Sequence, residues 1–217
     1  MKIDRNSYGT VLLVYLVCAV LICLLFLFVK VKWLDWILTA GLLWVSGWQT
    51  SFHMVPKRTT PAGDGLVTAV SDGKIVIIEK NYESEFLKQE CIQVSIYMDF
   101  WDFHANFWPV GGEIDYTCYH EGKHLLAFKP KASLENEHAC TSIRTPEGKS
   151  VFFKQIAGGW ARRIVCYSKP GMEVRRGEQC GIIKFGSRID IFLPLDAEIR
   201  VKLGDEVRAC ETIIAQL

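Results

Sequence analysis

Apolar residues dominate the first fifty positions of the chain. Val11–Val29 is an uninterrupted apolar run of nineteen residues. A helix rises about 1.5 Å per residue, so this run nearly spans a hydrocarbon core of about 30 Å. After Lys30–Lys32, a second apolar run, Trp33–Trp48, carries four tryptophans, which are enriched at membrane–water interfaces. The pattern predicts a helical hairpin in a membrane, whose second helix either crosses the bilayer or lies in its interface.

Beyond this hairpin the pattern changes to short β-branched and aromatic runs separated by turn residues, which is typical of strands. The clearest runs are Val67–Val70, Gly73–Glu79, Cys91–Met98 and Glu113–Tyr119. Ser51–Leu66 contains two prolines and two glycines and is predicted to be a linker. We therefore predict a membrane-anchoring hairpin at 1–50, a linker at 51–66 and a β-rich domain at 67–217.

A sequence repeat near the C-terminus suggests how the β-rich domain is built. Lys169–Ile183 and Lys202–Ala215 share the pattern G-x-E-V-R, followed by a turn and an apolar pair. Each copy predicts a strand, a tight turn and a returning strand. Two such hairpins resemble the halves of a lipoyl-like domain. The predicted fold class is mainly β, a β-sandwich or barrel-sandwich hybrid with an N-terminal α-helical membrane hairpin. Gly186-Ser187 lies between the two copies.

Composition narrows the classes of partner and site. The 25 Lys and Arg residues nearly balance the 24 Asp and Glu residues, which argues against a nucleic-acid partner. None of the eight cysteines forms a C-x-x-C pair, so we predict reduced thiols rather than disulfides or a zinc site. His120 and His124 have the i,i+4 spacing of a helical metal site, but Gly122 between them favours a turn, and no metal is predicted.

Several motifs give the Gly186-Ser187 pair a more specific interpretation than an ordinary turn. They occur in the order Ser71–Lys74, Asp102–Asn106, Asn136–Glu137, Lys154–Val165 and Gly181–Arg188, followed by Asp190-x-x-Leu193-Pro194. Together they resemble the short, membrane-anchored branch of the phosphatidylserine decarboxylases. The resemblance extends from about Phe52 to the C-terminus.

This resemblance implies that the chain cuts itself between Gly186 and Ser187. The products would be a β chain of residues 1–186 and an α chain of residues 187–217, held together as a heterodimer. Ser187 would become a covalent pyruvoyl group, so that no metal or diffusible cofactor is needed. Glycine before the serine fits this chemistry, because the absence of a Cβ lets the hydroxyl approach the carbonyl closely. The implied reaction converts phosphatidylserine to phosphatidylethanolamine and CO₂ at a lipid bilayer.

The same resemblance assigns roles to other residues. Asp72 falls where the family has the carboxylate of its self-cleavage machinery, although an Asp-Gly pair alone favours a turn. His104 is the best candidate for acid–base catalysis, because imidazole titrates near neutral pH. Which of these two residues serves self-cleavage and which serves decarboxylation stays open. Arg188, Arg162 and His120 are candidate substrate-binding residues.

The chain also departs from the family pattern. Met98–Trp101 replaces the family's M-S-P, Asn136-Glu137 falls where the family has N-E-R, and Phe107 stands where the long branch has a second histidine. A family member without activity is therefore one alternative. Others are a decarboxylase of ether-linked archaetidylserine, a biotin or lipoyl carrier, and a non-catalytic membrane-anchored adaptor with a lipoyl-like domain. Such adaptors carry long heptad helices within that domain, and no heptad pattern occurs between Val67 and Leu217.

The side of the membrane follows from flanking charge. Lys2, Arg5, Lys57 and Arg58 lie at the open end of the predicted hairpin. Because cytoplasmic flanks carry an excess of Lys and Arg, this arrangement favours a catalytic domain facing the cytoplasm. The predicted location is the inner, cytoplasmic membrane.

Overall fold

The computed structural model describes residues 1–123, 125, 132–158, 163–184 and 187–217. The two apolar runs form helices α1 (Tyr8–Phe28) and α2 (Lys32–Phe52), which pack against each other as the predicted hairpin. Within the described residues, α1 is the one helix long and apolar enough to cross a membrane. The third helix, α3 (Ala132–Glu135), is a single turn.

The remainder of the described chain is mainly strands, which confirms the predicted fold class. In chain order they are β1 (Lys2–Ile3), β2 (Met54–Val55), β3 (Leu66–Thr68), β4 (Gly73–Glu83), β5 (Gln89–Met98), β6 (Ala105–Phe107), β7 (Gly112–His120), β8 (His138–Arg144), β9 (Ser150–Ala157), β10 (Arg163–Cys166), β11 (Glu173–Val174), β12 (Gln179–Lys184), β13 (Ser187–Leu193), β14 (Glu198–Ile199), β15 (Glu206–Val207) and β16 (Ile213–Gln216).

These strands form one large sheet and three small ones. The large sheet has eight strands in the order β11-β7-β8-β9-β13-β5-β4-β15. Two three-stranded sheets, β10-β12-β6 and β14-β16-β3, and the pair β1-β2 complete the fold. Every strand pairing between named strands is antiparallel. The main apolar core includes Ile75, Ile96, Ile114, Phe153 and Ile189.

The repeat detected in the sequence is reproduced in the hydrogen bonding. The amide of Gly171 donates to the carbonyl of Ile114 at 2.8 Å, and the amide of Gly204 donates to the carbonyl of Ile75 at 2.9 Å. Ile75 and Ile114 each lie two residues into a long strand, in β4 and β7 respectively. The two repeat copies therefore pair with the large sheet in the same way, at its opposite edges. The predicted hairpins are wrong, because the second strand of each copy, β12 or β16, belongs to a different sheet from the first.

The turn inside each copy shows the same correspondence. Gly177 and Cys210 are thirty-three residues apart, which is also the spacing of Gly171 and Gly204. Gly177 and Cys210 both have a positive φ, of 81° and 66° respectively. Glycine tolerates this left-handed conformation, whereas a residue with a Cβ is strained there. The second copy therefore keeps the turn geometry of the first despite the change from glycine to cysteine.

The predicted linker, 51–66, is attached to its neighbours by several contacts. Its β2 segment pairs with β1 at the N-terminus of the chain. Next to β1, the Asp4 carboxylate accepts hydrogen bonds from the Tyr167 hydroxyl at 2.6 Å and the Gln179 side-chain amide at 2.8 Å. These contacts join the base of the helical hairpin to the β-rich part of the chain.

Candidate active site

Ser187 begins a strand that is buried along its whole length. Strand β13 lies between β9 and β5 in the large sheet, and all seven of its residues are buried. The preceding strand, β12, belongs to a different sheet. The chain therefore changes sheets between 184 and 187, and the Gly186-Ser187 pair is not the tip of a hairpin joining two paired strands. Gly186 itself lies outside the described residues.

The Ser187 hydroxyl faces a buried group contributed by three strands. Its Oγ lies 3.5 Å from the sulfur of Met98, the residue opposite it in β5. The side-chain nitrogen of Asn106 lies 3.9 Å from the same sulfur. The side-chain oxygen of Asn106 accepts a hydrogen bond from the Gln155 side-chain amide at 2.8 Å. All four residues are fully buried. Asn106 belongs to a motif that is visible in the sequence, whereas Met98 and Gln155 were not predicted to lie in the site.

His104 comes two residues before Asn106 in the chain, next to the end of β12. It precedes β6, and its carbonyl accepts a hydrogen bond from the amide of Ile183 at 3.2 Å, close to the end of β12. Its Nδ1 lies 2.9 Å from the carbonyl oxygen of Asp102. Since a carbonyl can only accept, Nδ1 carries the proton and Nε2 keeps its lone pair. Among the described residues, no group hydrogen-bonds to that buried Nε2.

Burial keeps His104 neutral. Its ring stacks on Phe52 at 3.7 Å between centroids, and the side chain is fully enclosed. Burial, with a smaller contribution from the neighbouring His53, lowers the pKa of His104 to about 4, although the hydrogen bond to the Asp102 backbone acts in the opposite direction. A neutral imidazole with a free lone pair can accept a proton at pH 7.

A second buried histidine, His53, comes from the end of α2, and the sequence analysis placed it in the linker. The rings of both histidines contact Phe52, with centroid distances of 5.8 Å for His53 and 3.7 Å for His104. Burial lowers the pKa of His53 to about 4, and the positive charge of the nearby Lys184 makes a smaller contribution in the same direction. No local pattern in the sequence brings His53 to the site, because it arrives with the helical hairpin.

The Asp72 carboxylate is occupied by an ion pair with Arg58. Both guanidinium Nη atoms donate to it, Nη2 at 2.6 Å, and the amide of Ala209 donates to Oδ1 at 2.9 Å. Within the described part of the chain, His104 donates its orienting hydrogen bond to the backbone carbonyl of Asp102 and not to Asp72. Asp72 therefore lies at the edge of the site as part of a buried charge pair.

Replacing Asp72 by Asn is expected to lower the free energy of unfolding by about 3 kcal/mol, because it leaves the buried Arg58 without its counter-charge. The Arg58 side chain is only 8% exposed. Denaturant unfolding should be measured in chains that also carry Ser187→Ala, so that all variants are full length. The double variant Arg58→Met/Asp72→Asn should recover most of the loss. An equal loss in the double variant would contradict a role for the unpaired charge.

Asp102 is a further titratable residue near His104, and no role was predicted for it from the sequence. Burial raises the pKa of the Asp102 carboxyl to about 6, with Asp99 and Asp72 contributing repulsion. The side chain faces a cleft of about 460 Å³ that Asp72, Lys74 and Tyr97 also line. A carboxyl that titrates close to neutral pH, two residues from His104, is a second candidate for proton transfer.

The candidate substrate-binding residues are less accessible than their charges suggested. Arg188 is fully buried and binds Asp190 through Nε at 2.6 Å and Nη2 at 3.0 Å. Because neighbouring residues of a strand face opposite sides of a sheet, Arg188 faces away from the side of Ser187. His120 lies in β7 and contacts Glu85 through Nε2 at 2.8 Å. Arg162 lies outside the described residues.

Comparison with known proteins gives a consistent answer. A sequence profile of the family described as phosphatidylserine decarboxylase matches residues 46–215. A phosphatidylserine decarboxylase proenzyme of Amoebophilus asiaticus is 45% identical over 170 residues, covering 78% of this chain and 76% of its own length. The proenzyme of that name from Porphyromonas gingivalis is 34% identical over 219 residues, covering 100% of this chain and 99% of its own length. This last alignment includes the helical hairpin.

Proposed function

The chain belongs to the phosphatidylserine decarboxylase family and is a decarboxylase, and from this premise we propose that it makes its own pyruvoyl group from Ser187. The observation that carries the proposal is the position of Ser187. It is the first residue of a fully buried central strand, immediately after the chain changes sheets. The backbone of the buried His104 hydrogen-bonds to Ile183 near the end of the preceding strand, and its Nε2 has no hydrogen-bond partner among the described residues. The relatives' description as proenzymes agrees with processing of the chain.

In the proposed self-cleavage, the Ser187 hydroxyl oxygen attacks the Gly186 carbonyl carbon. His104 Nε2 takes the hydroxyl proton, because it is neutral and its other nitrogen is already committed to Asp102. The peptide bond is replaced by an ester, and the Ser187 amine is released. Loss of the Ser187 α-proton then expels Gly186 as a carboxylate, and hydrolysis with loss of ammonia completes the new N-terminus of the α chain.

The buried surroundings of Ser187 suit the group that would be formed there. When present, the pyruvoyl carbonyl supplies an electron sink for the electron pair that is released as CO₂ leaves the substrate. Met98, Asn106 and Gln155 enclose the position and exclude water. His104 and Asp102 are available to move protons at its edge.

A lipid substrate fits the position of the helical hairpin. The loop just before His104 exposes Phe100 and Trp101, and the Trp101 side chain is 73% exposed. The Trp101 ring lies 6.2 Å from that of Trp44 in α2, and the Trp48 indole donates to the Phe100 carbonyl at 3.1 Å. Tryptophan side chains favour the membrane interface. The hairpin and this loop would therefore hold the site at the bilayer surface, and we propose the cytoplasmic face of the inner membrane.

The test of the proposal is the covalent state of the purified chain together with its activity. Intact mass spectrometry should find two chains, residues 1–186 and residues 187–217, and the smaller chain should have a blocked N-terminus that reacts with carbonyl reagents. Vesicles of carboxyl-labelled diacyl phosphatidylserine should release labelled CO₂. An uncleaved chain that releases none would refute the proposal. Activity confined to ether-linked archaetidylserine would instead assign the substrate to that lipid class.

The two chains are expected to stay together after cleavage without a covalent bond. The α chain would contain β13 to β16, and β13 is paired along its length with β5 and β9 of the β chain. Size-exclusion chromatography in a mild detergent should therefore recover both chains in one peak, while denaturant should separate them. Release of the small chain under mild conditions would contradict this pairing.

A further inference from the structure

A cluster of four metal-binding side chains lies outside the site described above. Glu85, His120, His138 and Cys140 each offer one ligand atom, and the four atoms all lie within 4.8 Å of one another. His120 and His138 are direct partners in the β7–β8 ladder. Cys140 is two residues beyond His138 on the same strand, so the two side chains share a face. Glu85 follows the end of β4, and the sequence alone does not show that it joins this group.

The contacts within the cluster are already close to those of a coordination site. The Glu85 carboxylate lies 2.8 Å from His120 Nε2 through one oxygen and 3.2 Å from the Cys140 sulfur through the other. The two imidazole rings stack with centroids 4.6 Å apart. A tetrahedral ion with bonds of about 2.0–2.3 Å has ligand atoms separated by about 3.3–3.8 Å, so the four groups need only a small contraction.

One histidine is held in the tautomer that a metal ligand requires. His138 Nδ1 lies 2.6 Å from the carbonyl oxygen of Asn136, which can only accept a proton. The Nδ1 atom therefore carries the hydrogen, and Nε2 presents its lone pair. Histidines that bind metals usually donate their second nitrogen to a backbone carbonyl or carboxylate in this way. His138 and Cys140 are both buried, which restricts their freedom before any ion binds.

We propose that Glu85, His120, His138 and Cys140 form a binding site for one divalent transition-metal ion, with Zn²⁺ as the best match. Two imidazoles, one thiolate and one carboxylate are a ligand set suited to zinc, whereas Mg²⁺ and Ca²⁺ require mainly oxygen ligands. Binding forms a metal–sulfur bond and releases the Cys140 thiol proton to solvent. It also replaces the direct contact between His120 and Glu85 with bonds to the ion.

The positive charge of Lys154 lowers the affinity of the proposed site for a metal cation. Its ammonium lies 3.2 Å from Glu85 Oε2, and the side chain is only 7% exposed. The rings of Phe152 and Phe192 lie 5.5 and 5.9 Å from the same ammonium. Without metal, Lys154 neutralises Glu85. With metal, it places a positive charge beside the cation, so the site should bind more weakly than one without a lysine.

The test is a Co²⁺ titration of the full chain in detergent after treatment with a chelator. Co²⁺ replaces Zn²⁺ in such sites and shows a thiolate-to-metal absorption band. One equivalent should bind and be displaced by Zn²⁺. Cys140→Ser should remove the thiolate band. His138→Arg, which places the family's arginine at this position, should weaken binding by at least about 100-fold, as expected for the loss of a ligand.

Two further variants make the result decisive. Cys91 is also fully buried and packs in the same small apolar cluster as Cys140, but it is not one of the four ligands. Cys91→Ser should therefore keep the band unchanged. Lys154→Met retains every ligand and should tighten binding by about tenfold or more. No thiolate band in the unmodified chain would overturn the proposal. So would a band that survives Cys140→Ser and His138→Arg, or a Lys154→Met chain that binds no more tightly.

Discussion

Ser187→Ala is expected to give a single uncleaved chain of 217 residues that releases no CO₂ from phosphatidylserine. The substitution removes the hydroxyl that attacks the Gly186 carbonyl in the proposed self-cleavage, and without this leaving group on Cβ the pyruvoyl group cannot form. Activity should fall by at least about 10⁴-fold, because no other group supplies the electron sink. Intact mass and labelled CO₂ release measure the two losses separately.

The loss should be chemical rather than structural. Among the described residues, the Ser187 hydroxyl hydrogen-bonds only to the Met98 sulfur, at 3.5 Å, so alanine removes one weak hydrogen bond. Ser142 provides a matched control, since it is a fully buried serine in β8 whose hydroxyl has no hydrogen-bond partner in the same described regions. Ser142→Ala should be cleaved and active. Cleavage or activity that persists in Ser187→Ala would place the nucleophile elsewhere.

Local patterns in the sequence were sufficient for the helices and the repeat. The run Val11–Val29 predicts a helix that the structure places at Tyr8–Phe28. The G-x-E-V-R repeat predicts two equivalent segments, and the structure places them at opposite edges of the large sheet, although not as hairpins. Each of these signals is carried by one continuous stretch of sequence, so no knowledge of long-range strand pairing was needed to detect it. The motif order also identified the family, which the comparisons confirm.

The arrangement around Ser187 was not predictable in the same way. A Gly-Ser pair between two apolar runs indicates a hairpin, whereas here the two runs are β12 and β13 of different sheets. The reason is that β13 is fully buried between β9 and β5, and those pairings join residues far apart in the sequence. Nothing in the local sequence specifies which strands will be neighbours.

The packing of the folded chain also decides which charged side chains can take part in catalysis or substrate binding. Asp72 looked like a turn residue or a catalytic carboxylate, and its ion pair with Arg58 depends on how the segment after α2 packs. Arg188 looked like a cation for the substrate, and the strand register buries it against Asp190. Residue type alone gives the charge of a side chain but not its partner, so these two roles needed the folded chain.

His104 should also govern the acid limit of self-cleavage. Burial lowers its pKa from 6.5 to about 4, so its neutral form persists well below neutral pH. The unfolded chain, with an ordinary histidine, binds more protons between about pH 6.5 and 4, so the folded state loses stability as the pH falls through that window. Near-ultraviolet circular dichroism should therefore accompany each rate measurement, so that only folded protein is compared.

We expect the first-order rate of self-cleavage to be level from about pH 8 to 5 and to fall with a midpoint near pH 4 as His104 Nε2 takes up a proton. His104→Ala should slow cleavage by at least about 100-fold, the usual contribution of a general base. Asp102 is the competing base, and burial raises its pKa to about 6. A midpoint near pH 6 that disappears in Asp102→Asn would assign the proton transfer to Asp102. The midpoint therefore distinguishes two groups only two residues apart, because their burial shifts the two pKa values in opposite directions.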